Sequence, residues 1–166
     1  MHADRFLFNA EALICVMGRN FEEKCRQLKS CIEEQLIPLI NNDYVLWELP
    51  YHENIGDLLI WKGELAFLRQ LPYKRLGSCS FSTYEYKDIS SNVVILLHGG
   101  GNFGDVWREP QNFRLQIVSK YPDNPIIIFP QTVWYNNAGT MKQDAEIMAR
   151  HKNLTICARD KNRMSF

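Results

Sequence analysis

The chain has 166 residues, of which 46% are hydrophobic, and its 19 lysines and arginines are matched by 19 aspartates and glutamates. This length predicts one domain with its own core, and the lack of a basic surplus argues against a large nucleic-acid interface. The five cysteines are scattered without a Cys-x-x-Cys pair. Neither a disulfide framework nor a structural zinc site is therefore expected, and no metal is predicted.

The N-terminus carries Asp4 and Glu11 where a signal peptide needs a continuous apolar segment. The longest wholly apolar run has about five residues, far fewer than the roughly 20 that a membrane-spanning helix requires. We therefore predict a cytoplasmic protein without a transmembrane segment. The inner face of the membrane is a second location that is compatible with these features.

Residues 1–40 are predicted to form an N-terminal segment with one amphipathic helix, although residues 1–18 are ambiguous between strand and helix. Asn20 followed by Glu23 predicts a helix start. Cys25 and Cys31 are expected to face the core rather than to react. The helix should end near Pro38, after apolar side chains that recur every three or four positions; these are Phe21, Cys25, Leu28, Ile32 and Leu36.

Residues 41–166 are predicted to form an α/β domain in which strands alternate with helices. We expect strands at residues 44–49, 77–84, 93–97, 126–129 and 154–158. We expect helices at residues 58–71, 111–120 and 140–151, the last opened by a capping box of Thr140 and Gln143. Two of the strands are wholly apolar, which is typical of parallel strands buried on both faces. The pattern predicts a three-layer, Rossmann-like parallel sheet.

The central feature is the strand 93–97, which leads into the glycine-rich segment 98–105 (HGGGNFGD). The glycines are expected to turn the backbone, and Asp105 to open a helix whose free N–H groups attract an anion. A similar segment, residues 52–57 (HENIGD), follows the first strand of the domain. We predict that both segments form the same kind of ligand-facing loop at a helix start, at one edge of the sheet. In the alternative interpretation, Asp57 and Asp105 are only helix caps.

Two other motifs overlap the glycine-rich segment. Gly99, Gly101 and Gly104 have the spacing of a dinucleotide-binding loop, but no acidic residue follows the next strand to hold a ribose. Residues 98–101 also match an esterase oxyanion loop, but the chain lacks the Gly-x-Ser-x-Gly elbow that such an enzyme needs. An NAD-binding domain stays a minor alternative, and the esterase interpretation is excluded.

Two histidines and two tryptophans lie just past expected strand ends. His52 and His98 are weak candidates for proton transfer or for contact with an anion. Trp107 and Trp134 have the chemistry to stack on a sugar, although packing against the core is the favoured prediction for both.

Four segments resemble, in the right order, the signature segments of polysaccharide pyruvyl transferases. They are residues 50–64 (PYHENIGDLLIWKGE), 97–105 (LHGGGNFGD), 130–132 (PQT) and 158–160 (ARD). The resemblance implies a glycosyltransferase-B-like architecture with the active site between two Rossmann-like halves. It further implies transfer of a pyruvyl group from phosphoenolpyruvate, without a cofactor, to a sugar or lipid-linked oligosaccharide. The product would be a ketal on an exopolysaccharide or cell-wall glycan.

The resemblance also implies which residues bind substrate. Those lining the cleft would be Asn54, Gly56, Asp57, Gly99, Gly100, Gly101, Asn102, Gly104 and Asp105. Gln131 and Arg159 would sit at neighbouring strand ends, and His52 or His98 would act in proton transfer.

Enzymes of this family have a second domain of comparable size, so we expect the chain to be an N-terminal half. It would be a truncated product, one part of a split gene or an isolated domain, and we expect no catalysis from it alone. Two alternatives stay open. One is a non-catalytic sugar- or nucleotide-binding half that works with a partner domain, and the less favoured one is the NAD-binding domain.

Overall fold

A parallel sheet organises the part of the chain that the computed structural model describes, residues 21–159. Its strands are β1 (Tyr44–Trp47), β2 (Arg75–Ser78), β3 (Val94–Leu97), β4 (Gly100–Gly104), β5 (Ile126–Trp134) and β6 (Leu154–Ala158). The helices are α1 (Phe21–Leu36), α2 (Ile55–Leu68), α3 (Arg108–Lys120) and α4 (Ala138–Ala149), and a short 3-10 helix spans Ile37–Leu39.

The long strand β5 holds the centre of the sheet together. Its first residues pair with β3, from Ile95 opposite Ile126 onward, and its last residues pair with β4, ending with Gly104 opposite Trp134. β6 pairs with the opposite edge of β5, while β1 lies between β3 and β2. β4 therefore prolongs the line of β3 beyond a break at residues 98–99. All pairings are parallel, which confirms the predicted α/β sheet.

Each face of the sheet carries its own apolar core. Ile95 and Leu97 of β3 face one cluster, which includes Phe113 and Ile117 of α3. Leu96, from the same strand, faces the other cluster, which includes residues of α2 and the end of α1. Alternate side chains of a strand point to opposite faces, so a strand covered on both sides has to be apolar throughout. This explains the continuous apolar runs in the sequence.

The second predicted strand was placed wrongly. The structure has a strand at Arg75–Ser78, whereas residues 79–84 form a turn instead of continuing the predicted strand 77–84. Ser80 and Thr83 cause this, because the backbone N–H of each donates to the side-chain oxygen of the other, at 3.1 and 3.2 Å. Such local bonds compete with a strand ladder.

The helix starts also differ from prediction. α2 begins three residues early, at Ile55, because Asn54 caps it by accepting from the Gly56 N–H. α4 is capped by Asn137, whose side chain accepts from the Thr140 N–H, so the predicted capping box of Thr140 and Gln143 is wrong. Asn137 captures the N–H groups at the helix start before Thr140 can act as a cap.

The apolar face predicted for α1 is largely uncovered. Phe21 is 79% exposed and Leu28 is 45% exposed, while Leu36 is the buried residue of the helix. Cys25 is exposed, which contradicts the prediction that it faces the core, because α1 packs against the core through Ile32 and Leu36 near its C-terminal end. The predictions for residues 1–18, for Asn20 and for Asp160 lie outside the described residues, and the division at residue 40 stays a prediction.

Among the described helices, none is both long and apolar enough to cross a bilayer.

Candidate functional site

Several of the predicted site residues meet at the edge where β1, β3 and β6 end, which we call the carboxyl edge. Asp57 Oδ1 would lie 3.3 Å from a Cβ built on Gly100, and Arg159 Nη2 would lie 3.7 Å from one built on Gly101. The first turn of α2, the strand β4 and the end of β6 therefore meet there. Open α/β sheets bind their ligands in the crevice beyond the carboxyl ends of the strands.

The glycine-rich segment is a strand and not a turn. Residues Gly100–Gly104 run along β5, and the next helix begins only at Arg108, with Trp107 rather than Asp105 at its N-cap position. The predicted anion loop at a helix start is therefore wrong for this segment, because pairing with β5 extends its backbone. A dinucleotide loop also needs a tight turn directly into a helix, so this geometry does not support NAD binding.

The backbone conformation requires glycine at two positions of this segment. Gly100 and Gly104 have φ values of +144° and +133°, which side-chain-bearing residues rarely adopt. A Cβ on Gly104 would also overlap the backbone carbonyl of Trp134, and one on Gly99 would lie 2.9 Å from the Pro130 carbonyl oxygen. The glycines thus serve the packing of two strands, in addition to any contact with a ligand.

The two similar segments do different things. In residues 52–57, Asn54 caps α2 and donates to Asp57 Oδ2 at 2.9 Å, and His52 Nε2 lies 3.5 Å from the same oxygen. By contrast, the Asp105 carboxylate accepts from the backbone N–H groups of Asn136 and Asn137, each at 2.7 Å. The prediction that both segments form the same loop at a helix start is wrong, because β4 keeps the second segment extended.

A buried carboxylate–imidazole pair lies beneath the carboxyl edge. His98 is 2% exposed, and its Nδ1 lies 2.8 Å from Glu64 Oε2. Glu64 Oε1 accepts from the Gly99 N–H, also at 2.8 Å. When Glu64 is ionised and can only accept, the proton of this hydrogen bond lies on His98 Nδ1. Its Nε2 is buried and has no hydrogen-bond partner among the described residues.

Gln131 supports the same histidine from β5. It is fully buried, and its Nε2 donates to the His98 carbonyl oxygen at 2.7 Å. That carbonyl lies at the break between β3 and β4, so the Gln131 amide takes the place of a ladder hydrogen bond. Gln131 therefore lies inside the wall of the site, and the role predicted for it as a substrate contact stays a prediction.

Sequence reasoning missed a second buried pair, Glu48 and Arg114. Arg114 is fully buried and contacts both carboxylate oxygens of Glu48, one through Nε at 3.0 Å. Its Nη1 donates to the Asn102 carbonyl at 3.1 Å, and its Nη2 donates to the Asn102 side chain. Burial raises the pKa of the Glu48 carboxyl to about 7, although the nearby Arg114 opposes that rise. The pair fixes Asn102 at the edge.

A third polar cluster ties α3 to α4 and to the end of β5. The buried Asp144 accepts from Arg108 Nη1 at 2.6 Å, from Gln111 Nε2 at 3.1 Å and from the Tyr135 hydroxyl at 2.9 Å. Gln111 Oε1 in turn accepts from the Gly104 N–H at 3.3 Å. Burial raises the pKa of the Tyr135 hydroxyl, and the neighbouring Asp144 carboxylate adds to the rise. The cluster anchors the end of β4.

An open cleft of about 260 Å³ lies beside β4, and we call it the tryptophan cleft. It is lined by Gly101, Asn102, Phe103, Val106, Trp107, Thr132 and Trp134. Trp107 is 62% exposed and Trp134 is 46% exposed, so the prediction that both pack against the core is wrong. Trp134 is the last residue of β5, and Trp107 stands between the end of β4 and the start of α3.

Arg159 borders this cleft. It is exposed, and its Nε donates to Thr132 Oγ1 at 2.6 Å. The bond orients the guanidinium towards Gly101, so a fixed positive charge stands at the carboxyl edge. Within residues 21–159, no group of three or more His, Cys, Asp or Glu side chains is arranged to hold a metal ion.

A family model for polysaccharide pyruvyl transferase matches residues 54–164, which include most of the carboxyl edge. The chain belongs to the polysaccharide pyruvyl transferase family. The match includes the segments around Gly100, Gln131 and Arg159 on which the resemblance was based.

Curated relatives agree with this assignment to the pyruvyl transferases. The chain is 36% identical over 123 residues to EpsO of Bacillus subtilis strain 168, whose name places it provisionally among the pyruvyl transferases. It is 33% identical over 126 residues to pyruvyl transferase 1 of Schizosaccharomyces pombe. These matches cover 72% and 70% of this chain but only 38% and 31% of the two relatives. The chain thus spans about a third of their length.

A solved structure supports the fold alone. A functionally uncharacterized protein from Klebsiella pneumoniae superposes with a TM-score of 0.51 at 16% sequence identity, covering 78% of this chain and 54% of that one. The Rossmann-like architecture expected of a pyruvyl transferase domain is therefore confirmed. Which of its edge residues contact substrate stays a prediction.

Proposed function

We propose that this chain takes part in transferring a pyruvyl group from phosphoenolpyruvate to a sugar of an exopolysaccharide or cell-wall glycan. The observation that carries the proposal is the exposed Arg159 guanidinium, held beside Gly101 at the carboxyl edge of a pyruvyl transferase family domain. Phosphoenolpyruvate carries a carboxylate and a phosphate, and an oriented guanidinium pairs with either of them through two hydrogen bonds.

The proposed reaction sets clear chemical demands on the site. Two hydroxyl oxygens of one sugar bond to C2 of phosphoenolpyruvate, and the bond between C2 and the phosphate oxygen breaks. One hydroxyl proton ends on C3, which becomes a methyl group, and the other leaves with the phosphate. The site therefore needs an acid near C3, a base near the hydroxyls and fixed positive charge near the leaving group.

The two histidines differ in their suitability for proton transfer. The side chain of His52 is 41% exposed and lies beside Asp57 at the carboxyl edge, so a bound ligand can reach it. His98 is buried and paired with Glu64, so we propose that it supports the edge from beneath. On this proposal His52 is the better candidate for exchanging a proton with substrate.

We further propose that the reaction needs groups beyond those described here. The relatives are about three times as long as the segment they share with this chain. A second domain or a partner chain would supply further cations for phosphoenolpyruvate. In that case the chain alone binds ligands without turnover, as a sugar- or nucleotide-binding half. The exposed tryptophans of the cleft favour this second candidate function.

Titration calorimetry of the full chain with phosphoenolpyruvate tests the donor site. We expect saturable binding that weakens at least tenfold in Arg159→Ala, because one oriented ion pair is lost. Arg75→Ala is the matched control, since Arg75 is an exposed arginine at the start of β2, away from the carboxyl edge.

A phosphate-release assay with methyl glycosides as acceptors then separates the two functions. Phosphate release that depends on acceptor supports transferase activity of the chain itself, whereas binding without release supports the binding half. Absence of any heat with phosphoenolpyruvate, or equal binding by Arg159→Ala and Arg75→Ala, would refute the donor site.

A further inference from the structure

The tryptophan cleft has the composition of a ligand-binding surface. Trp107, Trp134 and Val106 contribute large apolar groups to the lining of the cleft, and all three are at least 46% exposed. Contiguous exposed apolar surface with a polar rim marks interaction sites in soluble domains. Neither indole belongs to the apolar cores on the two faces of the sheet.

The polar rim of the cleft is rigid. Asn102 is held by Arg114 through both its carbonyl and its side chain, and Arg114 is itself fixed by Glu48. Thr132, which also lines the cleft, accepts from Arg159 Nε. Groups held in this way lose little conformational entropy when a ligand binds, which favours directional hydrogen bonds.

We propose that the tryptophan cleft is the acceptor subsite, in which one sugar ring stacks on Trp107 and Trp134. This proposal rests on the transferase function proposed above and names the residues that select its acceptor. A pyranose presents an apolar C–H face and a polar rim of hydroxyls, which matches indole faces beside an amide and a hydroxyl. The cleft volume of about 260 Å³ lies below the roughly 300–1,000 Å³ of sites for larger ligands. It suits one ring better than a nucleotide sugar.

The position of the cleft also fits the chemistry. Thr132 lines the cleft and accepts from Arg159, so the cleft and the positive charge proposed for the donor are neighbours. Ketal formation uses two hydroxyls of one ring, which lie at the ring edge and leave a face free for stacking. A sugar lying on the indoles can therefore present its edge towards a donor held by Arg159.

The test uses the full chain and a panel of methyl glycosides of galactose, glucose, mannose and N-acetylglucosamine. Binding is followed by indole fluorescence and by saturation-transfer difference NMR. We expect saturable binding of at least one glycoside, weakened at least tenfold in Trp107→Ala and in Trp134→Ala and by less in Trp107→Phe. Phe21→Ala is the matched control, because Phe21 is an exposed aromatic residue that does not line the cleft.

The outcomes distinguish this proposal from the donor proposal. Failure of all the glycosides to bind, or equal binding by the tryptophan variants and the wild type, overturns the acceptor subsite even where phosphoenolpyruvate binds. Tryptophan-dependent glycoside binding without any phosphoenolpyruvate binding supports the subsite and refutes the donor site. Sedimentation velocity provides a further check: a dimer that dissociates in both tryptophan variants, with no glycoside binding, assigns the cleft to a second copy and overturns the proposal.

Discussion

Replacing Gly104 by alanine tests whether the glycine-rich segment is a strand packed against β5. The φ of +133° belongs to a region that is essentially restricted to glycine, and forcing a side-chain-bearing residue into it costs about 1–3 kcal/mol. The new Cβ would also lie 2.7 Å from the carbonyl carbon of Trp134, so β4 and β5 must separate. The hydrogen bond from the Asp105 N–H to the Trp134 carbonyl, now 3.3 Å, would be lost at about 0.5–1.5 kcal/mol.

We therefore expect Gly104→Ala to destabilise the domain by about 2–4 kcal/mol, a large part of the ~5–15 kcal/mol typical of a domain. Urea unfolding followed by circular dichroism measures this as a midpoint lowered by roughly 1–2 M at an unchanged slope. The matched control is Gly63→Ala in α2, where a Cβ meets nothing within 4 Å and helix propensity predicts a gain of up to about 1 kcal/mol. Gly104→Ala within about 0.5 kcal/mol of wild type would refute the strand geometry.

Substitutions at three further positions test the buried polar groups and the loop that Asp105 holds. Because the folded state raises the Glu48 pKa from 4.5 to about 7, it binds that proton more tightly than the unfolded chain, so the free energy of unfolding should fall as pH rises across this range. Glu48→Gln should flatten that dependence in urea titrations, and an unchanged slope would contradict the assignment. Glu64→Ala leaves the His98 and Gly99 N–H donors without an acceptor, so we expect the free energy of unfolding to fall by about 2–4 kcal/mol. Glu64→Gln should cause a smaller fall, and equal stability of the two variants would contradict this. Asp105→Ala should speed amide exchange at residues 136–137 with a smaller loss of stability, and unchanged protection there would show that the carboxylate does not hold this loop.

Strands could be predicted where the residues of the strand themselves carry the pattern of burial. The apolar run at 93–97 lies almost where β3 does, and the run at 126–129 forms the first part of β5, because burial on both faces leaves a pattern in the sequence itself. β4 has no such signal. Its glycines are typical of a turn. The backbone is extended only because it pairs with β5, about 30 positions along the chain.

The sequence predicted which segments form the candidate site, but not the buried side chains that hold them in place. The segments at the carboxyl edge could be found from their glycines and polar residues, whereas Glu48 and Arg114 are 66 positions apart and meet only in the fold. One local signal existed: Arg114 stands between Phe113 and Leu115, two buried apolar residues of α3. A buried cation has to be paired, so this position predicts an acidic partner elsewhere in the chain.

The fixing of Asn102 by a fully buried arginine has a consequence for how such a domain can diversify. Arg114 joins the end of β1, the middle of β4 and the core side of α3, so one wall of the cleft and the interior share a single residue. Changes at that wall are coupled to folding, whereas Trp107, Trp134 and Val106 can be exchanged with little effect on the interior. On the proposal that this cleft is the acceptor subsite, new acceptor preferences should arise by replacement of these three exposed residues while Asn102 is inherited unchanged.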